Sequence, residues 1–329
     1  MANYRNIHGI NIETVTSNPD NPANGQVWYN STDQKLRGNA QTTADAWASG
    51  GNMNTARNSL GGAGTQTAAL AFGGQPPNRA LTESYNGSSW TEVADLGTAR
   101  NGLGGTGTQT SAIAYAGEGA APTPKNLTET WNGSSWTEVG DLNSTRKYSG
   151  TSGADSTASL AFAGIGPDNS SDFAKTESWN GSSWTEVADM NESKHNLSGS
   201  GTYTAAVAFG GTPGAKNSTE TWNGTAWTEV ANLNTAGFTR AGSIESSTAA
   251  LAMGGWSPAL HGALDNTELW NGSSWTETAD LSTARGYGAG AGTSTAGISF
   301  GGAIAPGPSA STEEFTASGA NSTREFDLS

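Results

Sequence analysis

The chain has no cysteine and few charged residues, which make up only 13% of its 329 residues. Without Cys it cannot form disulfides, thiolate metal sites or a cysteine nucleophile. Its 15 Lys and Arg are outnumbered by 29 Asp and Glu, so the net charge is -14. This charge repels the phosphate backbone of DNA and RNA, and we therefore expect no binding to nucleic acid.

Long hydrophobic runs are also missing. No stretch approaches the roughly 18 consecutive apolar residues of a membrane-spanning helix, and MANYRNIHGINIETV lacks the basic and apolar parts of a secretion signal. We expect a soluble protein with no membrane insertion. Segments rich in Leu, Lys and Glu are scarce, whereas Gly reaches 46 residues, so the composition predicts an all-β protein rather than a helical one.

The sequence does contain an internal repeat, which aromatic residues mark. Six Trp residues are separated by 43 to 48 positions: Trp47, Trp90, Trp136, Trp184, Trp227 and Trp275. Six residues after each comes a Met or Leu, namely Met53, Leu96, Leu142, Met190, Leu233 and Leu281. A short apolar run of the AFGG type follows, and then a Thr-Glu-x-aromatic segment such as TETW.

Each repeat predicts four short strands. A Gly-rich segment suits a crowded inner strand, the AALAF-type run is a second strand, and TETWNGSSWTEV is a hairpin around an Asn-Gly turn. A unit of about 45 residues with four strands has the size of a β-propeller blade. Six units predict a six-bladed propeller, in which the repeated Trp residues pack between neighbouring blades.

The number of strands indicates how the ring closes. The sixth unit has three strands and ends at Phe315 with no Trp after it, whereas Trp47 has no strands of its own unit before it. We predict that the Trp47 strand completes the sixth blade, because Trp47 keeps the spacing to Met53. In the alternative, TREFDL with Phe326 completes it. The predicted domains are an attachment segment at 1–46, a propeller at 47–315 and a C-terminal tail at 316–329.

These repeats resemble the kelch family of β-propellers. The likeness lies in the order MNTAR, a Gly-rich strand, AFGG and TESYNGSSWTEVADL, which parallels the family's Arg, Gly-Gly pair and spaced Tyr and Trp. It covers residues 47–315. Lys194 and Gly237 depart from the Arg position, and Ala116 and Ala163 replace the first Gly. The resemblance implies a six-bladed ring and no particular activity, because such propellers serve many functions.

Two series of Glu residues run through the repeats. We interpret the first, Glu83, Glu129, Glu177, Glu220, Glu268 and Glu313, as paired with the cations Arg57, Arg100, Arg146, Lys194 and Arg285. A ring spreads its carboxylates evenly, whereas a glycosidase needs two of them about 5 to 10 Å apart in one cleft. The three His residues are scattered. We therefore predict no catalytic residue, no metal site and no cofactor, and we do not expect an enzyme.

The segments between second and third strands differ most in sequence and hold most of the Pro residues. All six should emerge on one face, which binds partners in kelch-like propellers. Trp256 lies outside the repeat pattern and could stack on a sugar ring; alternatively, it covers the underside of its own loop. The candidate binding residues are Asn78, Arg79, Lys125, Asp168, Asp172, Lys216, Trp256 and His261.

Residues 1–46 lie outside the repeats and combine GINIETV, an Asn- and Pro-rich link and GQVWYNSTDQKLRG. The last piece resembles a short hairpin in virion proteins of bacteriophages, especially marine phages, which also carry WNGSSWTEV-type propellers. The resemblance implies an attachment segment; the alternative is a segment that only packs on the propeller rim. The candidate docking residues are Ile10, Ile12, Val15, Trp28 and Tyr29.

Together these features predict a structural or adhesive protein on the surface of a phage particle, in the tail or on the capsid. The expected partners are other virion proteins and a host cell-surface glycan or protein, and the copy number, including a homo-oligomer, stays open. Two other functions are alternatives. An Arg-rich loop face would favour an intracellular peptide-binding scaffold, but this face has few cations. A glycan-cleaving enzyme would need clustered carboxylates and an Arg group at the ring centre.

Overall fold

The computed structural model describes residues 12–19, 26–41, 44–121, 123–168, 170–305, 307–319 and 321–326. The chain divides into two compact units. The larger unit comprises Trp47–Phe315, and the smaller one combines Met1–Ala46 with Thr316–Ser329. All regular secondary structure of the described residues consists of β-strands, as the composition predicts.

The smaller unit begins with three strands: β1 (Glu13–Val15), β2 (Val27–Asn30) and β3 (Lys35–Gln41). β1 pairs with β2 in parallel, and β2 and β3 form an antiparallel hairpin. The Asn30 side chain shapes the hairpin turn, because its Oδ1 accepts the backbone N–H of Thr32 at 3.0 Å.

The larger unit opens with β4 (Ala46–Ser49), which precedes five sheets of four antiparallel strands. The first three sheets contain β5 (Gly61–Thr65), β6 (Ala68–Phe72), β7 (Thr82–Tyr85), β8 (Trp90–Val93), β9 (Gly104–Gly107), β10 (Ala112–Tyr115), β11 (Thr128–Trp131), β12 (Trp136–Glu138), β13 (Gly150–Asp155), β14 (Ala158–Phe162), β15 (Thr176–Trp179) and β16 (Trp184–Val187). The next two contain β17 (Ser198–Gly201), β18 (Ala206–Phe209), β19 (Thr219–Trp222), β20 (Trp227–Val230), β21 (Ala241–Gly242), β22 (Ala250–Ser257), β23 (Gly262–Trp270) and β24 (Trp275–Glu277).

The sixth sheet takes three strands from the end of the unit and one from its start. In order, its strands are β25 (Ala289–Gly292), β26 (Ala296–Phe300), β29 (Thr312–Thr316) and β4, and between β26 and β29 lies a small hairpin of β27 (Ala303–Ile304) and β28 (Gly307–Pro308). On β4, Trp47 Nε1 donates to the Ala279 carbonyl oxygen at 2.9 Å. The Trp47 ring lies 5.3 Å from the Phe315 ring. Strand β4 therefore occupies the outer position that the other sheets fill with their own fourth strand.

The last strand, β30 (Asn321–Phe326), belongs to the smaller unit. It pairs antiparallel with β3, and the sheet order is β1-β2-β3-β30. The segment expected to be a tail therefore contributes a strand, because the edge of β3 offers it backbone partners. The alternative prediction placed TREFDL in the sixth sheet. Residues 323–326 of this segment instead lie in β30 and pair with β3, so they are not part of the sixth sheet.

The six sheets of the larger unit stand around one axis. The innermost strand of each sheet contacts that of the next, and β25 contacts β5. At one end of these strands, six backbone N–H···O bonds of 2.7–3.2 Å form a closed ring through Ser59, Gly102, Tyr148, Asn196, Thr239 and Tyr287. The sheets are the blades of a six-bladed β-propeller, which confirms the predicted fold class.

Trp residues fasten neighbouring blades to one another. The Trp136 ring lies 5.0 Å from the Phe72 ring of the preceding blade, and Trp136 Nε1 donates to Thr82 Oγ1 at 3.0 Å. Equivalent ring contacts join Trp90 to Phe300, Trp184 to Tyr115, Trp227 to Phe162 and Trp275 to Phe209. All six repeated Trp residues donate to a Thr hydroxyl of the preceding blade. Their predicted packing role is confirmed.

A buried ion pair braces each blade. Arg57 Nη2 lies 2.9 Å from Glu83 Oε1, and both side chains are at most 1% exposed. Arg57 Nη1 also donates to the carbonyl oxygens of Gly73 and Leu81, at 2.8 and 2.6 Å. The second Glu83 oxygen accepts the Asn54 backbone N–H at 2.6 Å. The predicted pairing is confirmed here and in three further blades, at Arg100–Glu129, Arg146–Glu177 and Arg285–Glu313.

Two blades depart from this arrangement. In the fourth, Lys194 Nζ lies 3.6 Å from Glu220 Oε1, and burial lowers the pKa of this lysine. In the fifth, the Arg position holds Gly237, and the cation is Arg240, whose Nη2 lies 3.6 Å from Glu268 Oε1. A Cβ atom at Gly237 would lie 3.3 Å from Arg240 Nε, so glycine leaves room for the guanidinium. The predicted cation series missed Arg240.

The fourth blade allows a test of the ion pair. Lys194→Arg should stabilise the protein by about 1 kcal/mol, since a guanidinium can reach Glu220 and the nearby carbonyl oxygens together. The denaturant midpoint measures the effect. Arg146→Lys is the matched control and should destabilise by a similar amount. Equal midpoints for all three proteins would contradict the bracing role of the pair.

Ring closure can be tested at Trp47. Trp47→Ala should destabilise the propeller by about 2 kcal/mol, because it removes a hydrogen bond and an aromatic contact from the closing strand. Trp47→Phe keeps the aromatic contact with Phe315, so it should destabilise the propeller about half as much as Trp47→Ala does. Thermal unfolding followed by near-UV circular dichroism measures both variants. An Ala variant that melts together with the wild type would show that β4 does not secure the sixth blade.

Candidate functional site

The antiparallel order of every blade sends its segment between second and third strands to the same face of the ring. We call this the loop face, and its described residues are 73–81, 116–121, 123–127, 163–168, 170–175, 210–218, 254–266, 301–305 and 307–311. In the fifth blade, β22 runs to Ser257 and β23 starts at Gly262, so this segment is an extended hairpin. The six segments bring residues far apart in sequence onto one surface.

A cleft of about 480 Å³ lies on the loop face, between the fifth, sixth and first blades. Its principal lining residues are Trp256, Ile304, Pro308, Pro76, Asn58 and Gln75. Trp256 is half-buried, and its backbone exchanges two hydrogen bonds with Phe238, at 2.8 and 3.1 Å. These bonds fix the strand segment that carries the indole. We call this site the Trp256 cleft.

The Trp256 cleft combines apolar and amide groups. The indole, the Pro rings and the Ile side chain form a wall against which the C–H face of a sugar ring can pack. The amides of Asn58 and Gln75 supply donors and acceptors for hydroxyl groups. No charged residue is among the described residues that line the cleft. The arrangement suits an uncharged ligand that has both an apolar face and hydroxyl groups.

Asn78 belongs to a second group of side chains, which joins the first three blades. Asn101 Nδ2 donates to Asn78 Oδ1 at 2.8 Å, and the Tyr148 hydroxyl donates to Asn101 Oδ1 at 3.2 Å. The Lys147 ammonium donates to Glu118 Oε2 at 2.5 Å. Asn78 is therefore held in a hydrogen-bonded network beside a neutralised pair of charges.

Asp172 belongs to a third group, which spans the third and fourth blades. His195 Nδ1 lies 2.5 Å from Asp172 Oδ1, and His195 Nε2 lies 2.8 Å from Thr212 Oγ1. These partners are 23 and 17 residues from His195 in sequence, so the sequence alone gave no sign of the contacts. Both ring nitrogens of this histidine are engaged.

Asp168 and Lys216 lie apart from these groups. The Ser171 hydroxyl and the backbone N–H groups of Ser171 and Ser170 donate to Asp168 and lower its pKa to about 2. Its carboxylate therefore stays charged at neutral pH. Lys216 Nζ lies 2.7 Å from Glu192 Oε1. Asp168 is engaged within its own loop, and Lys216 pairs with a residue of the segment that precedes β17.

Arg79, Lys125 and His261 are also dispersed. Arg79 Nη2 donates to the Pro76 carbonyl oxygen at 3.2 Å. Lys125 forms a backbone bridge with Arg146. His261 is exposed at the tip of the fifth-blade hairpin. Of the eight predicted loop-face residues, the structure places only Trp256 in the lining of the cleft.

The predicted docking residues lie in the smaller unit. Ile10 falls outside the described residues, and Ile12 is 50% exposed. Val15 in β1 and Tyr29 in β2 are partly buried. Trp28 is fully buried, and its Nε1 donates to Asn18 Oδ1 at 3.2 Å. Trp28 must therefore be removed from the candidate docking surface, because its side chain packs inside the protein.

In the described part of the chain, no three His, Asp or Glu side chains are grouped in a way that could hold a metal ion. No helix in the same residues has the length and apolar character needed to cross a bilayer.

Comparison with known proteins identifies the fold class. A solved structure described as the structure of YjhT is similar to this chain, with a TM-score of 0.68 and 12% sequence identity. The similarity covers 83% of this chain and 99% of that chain. No protein-family model matches the chain, and no curated protein matches it. At this identity the similarity shows the fold alone, so the protein is a β-propeller, a fold consistent with a binding scaffold.

The role of Trp256 can be separated from that of the packing Trp residues. Trp256→Ala should change the free energy of unfolding by less than about 1 kcal/mol, because the indole is half-buried in a cleft. Trp184 is only 5% exposed, so Trp184→Ala should lower the free energy of unfolding by about 3 kcal/mol. Urea unfolding measures both. Equal losses would show that Trp256 supports its own loop.

Proposed function

We propose that this protein is an adhesive component of a phage particle, and that its propeller binds a neutral host-surface glycan in the Trp256 cleft. The observation that carries the proposal is the cleft, where an indole stands beside Pro and Ile side chains and two amides. These groups match the apolar C–H face and the hydroxyl groups of a sugar ring. A rigid ring presents them without ordering a flexible loop, which lowers the entropic cost of binding.

The distribution of charge favours an uncharged ligand. The net charge of -14 disfavours an acidic glycan. Two lysines on or beside the loop face are already paired: Lys216 Nζ lies 2.7 Å from Glu192 Oε1, and Lys147 Nζ lies 2.5 Å from Glu118 Oε2. Stacking and hydrogen bonding also persist in strong salt. Salt at 1 M, in contrast, screens interactions between exposed charges that are more than about 3 Å apart.

The particle role rests on the smaller unit. Its β2–β3 hairpin contains the VWYN and KLR segments of the piece that resembles phage virion proteins. Ile12 is a large hydrophobic residue with half of its surface exposed beside β1. We propose that this unit joins the propeller to other virion proteins, in the tail or on the capsid.

Glycan binding is tested with polysaccharide purified from the envelope of the host. Trp256→Ala should weaken binding about tenfold, since loss of an aromatic contact costs on the order of 1.4 kcal/mol. Biolayer interferometry on immobilised polysaccharide measures the affinity. Leu260→Ala is the matched control, because Leu260 is 61% exposed at the tip of the same hairpin. Unchanged binding by Trp256→Ala would contradict the proposed site.

The particle role is tested by gold labelling of intact particles with antibodies raised against residues 47–329. Label on the tail tip or fibres supports adhesion, and label over the head supports capsid decoration. Particles without label would contradict the virion role and favour an intracellular peptide-binding scaffold. A release of reducing sugar from the polysaccharide would instead favour a glycan-cleaving enzyme.

A further inference from the structure

Each blade carries one pair of bridged residues at the loop face. The residue directly before the backbone ring forms a β-bridge with a residue of the loop face in the same blade. In chain order these bridged pairs are Asn58–Gln75, Asn101–Glu118, Lys147–Ile165, His195–Thr212, Phe238–Trp256 and Gly286–Ala303. The position is the same in every blade, but the residue types differ from pair to pair. The bridged pairs therefore give each blade its own chemistry at the loop face.

The bridged pairs of the second, third and fourth blades have their polar side chains occupied. Asn101 Nδ2 donates to a neighbouring Asn side chain at 2.8 Å. Lys147 Nζ lies 2.5 Å from Glu118 Oε2, and His195 Nε2 lies 2.8 Å from Thr212 Oγ1. These three blades therefore satisfy their polar groups within the protein.

The bridged pairs of the fifth, sixth and first blades surround the Trp256 cleft. Trp256, Ala303, Asn58 and Gln75 all line it. The sixth-blade pair has the smallest side chains of the six, because Gly286 has none and Ala303 has a single methyl group. This pair leaves open the space between the indole of the fifth blade and the two amides of the first.

The indole N–H of Trp256 differs from every other indole N–H in the chain. The structure describes all twelve Trp residues, and in eleven of them the indole N–H donates a hydrogen bond. Trp256 Nε1 has no partner among the described residues. The side chain is half-buried, and this nitrogen keeps contact with solvent. Because a Trp N–H usually finds a partner when the ring is buried, an acceptor on a bound ligand suits this position.

The two amides add further donors to the cleft. The backbones of Asn58 and Gln75 exchange two hydrogen bonds of 2.9 Å, which hold the two side chains beside each other. Asn58 Oδ1 accepts the Ser59 hydroxyl at 3.2 Å. Asn58 Nδ2 and both amide atoms of Gln75 have no partner among the described residues. The side chains of the cleft therefore offer three unpaired donor groups and a single wholly unpaired acceptor, Gln75 Oε1.

The excess of donors and the apolar wall select for a particular substituent. A hydroxyl group both donates and accepts, whereas an amide carbonyl oxygen only accepts. An acetamido group has such an oxygen, a single N–H and a methyl group. The oxygen matches the unpaired donors, the N–H matches Gln75 Oε1, and the methyl group matches the apolar side chains of Ile304 and Pro308. A plain hexose has no group that uses this wall in the same way.

We propose that the Trp256 cleft selects neutral sugars that carry an acetamido group. The carbonyl oxygen of this group accepts the Trp256 indole N–H, and its methyl group packs on the apolar wall. Gln75 distinguishes the acetamido group from a hydroxyl group. The inference rests on the proposed glycan-binding function and adds the class of sugar.

NMR titration of the full chain tests the selectivity, with tri-N-acetylchitotriose and cellotriose as probes. These uncharged trisaccharides have the same linkage and differ only in an acetamido group in place of a hydroxyl group on each ring. Tri-N-acetylchitotriose should bind about tenfold more tightly, since it adds hydrogen bonds and buried methyl groups. It should also move the indole N–H signal of Trp256, which the loss of one signal in Trp256→Phe identifies.

Two variants and a control separate selectivity from binding as such. Gln75→Leu removes the amide at similar size and should reduce the preference for the acetylated probe to less than about threefold. Trp256→Phe keeps an aromatic face without the N–H, and should weaken binding of the acetylated probe more than that of cellotriose. Thr212→Val is the matched control, because Thr212 occupies the position of Gln75 in the fourth blade. It should leave the preference unchanged.

Three results would overturn the inference: equal affinity for the two trisaccharides, an indole signal of Trp256 that stays in place, or an unchanged preference in Gln75→Leu. If host polysaccharide still binds and Trp256→Ala weakens that binding, the proposed glycan function stands and only the acetamido selectivity fails. If neither the trisaccharides nor the polysaccharide bind, both fail. A neutral acetylated tripeptide that binds as tightly as tri-N-acetylchitotriose would show that the cleft recognises peptides instead.

Discussion

The buried pair of a cation and a Glu in each blade is the interaction on which the ring depends. In the first blade, Arg57 precedes the inner strand and bonds to Glu83 on the third, and so ties the linker that enters the blade to its central strands. Loss of one partner of such a pair leaves a buried charge uncompensated, which costs about 3–5 kcal/mol. Arg240 reaches Glu268 from a different sequence position, which shows that the pairing matters more than the register of the cation.

The repeated Trp residues and ion pairs stabilise the ring. Residues at the axis and on the loop face can therefore differ between blades. The Trp256 cleft takes its indole from the fifth blade, Ile304 from the sixth and two amides from the first. The cleft is therefore an asymmetric feature of a nearly symmetric ring.

The fold could be predicted from the sequence because constant spacings mark every blade, and the spacing from Trp47 to Met53 points to the outer strand of the sixth. The cleft could be predicted only in part. Trp256 stands out by its position, but its neighbours Asn58 and Ile304 are distant in sequence and meet only through ring closure. Trp28 was misjudged, because an aromatic residue near a chain end gives no sign of whether it packs inside its own unit.

The central claim is that the loop face, and within it the Trp256 cleft, is the binding surface. Hydrogen–deuterium exchange of the full chain with and without host-envelope polysaccharide tests it most directly. The account predicts slower exchange in residues 73–81, 254–266 and 301–311, with no change in the Asn-Gly turns between third and fourth strands. Protection of those turns instead, or no protection anywhere, would contradict it.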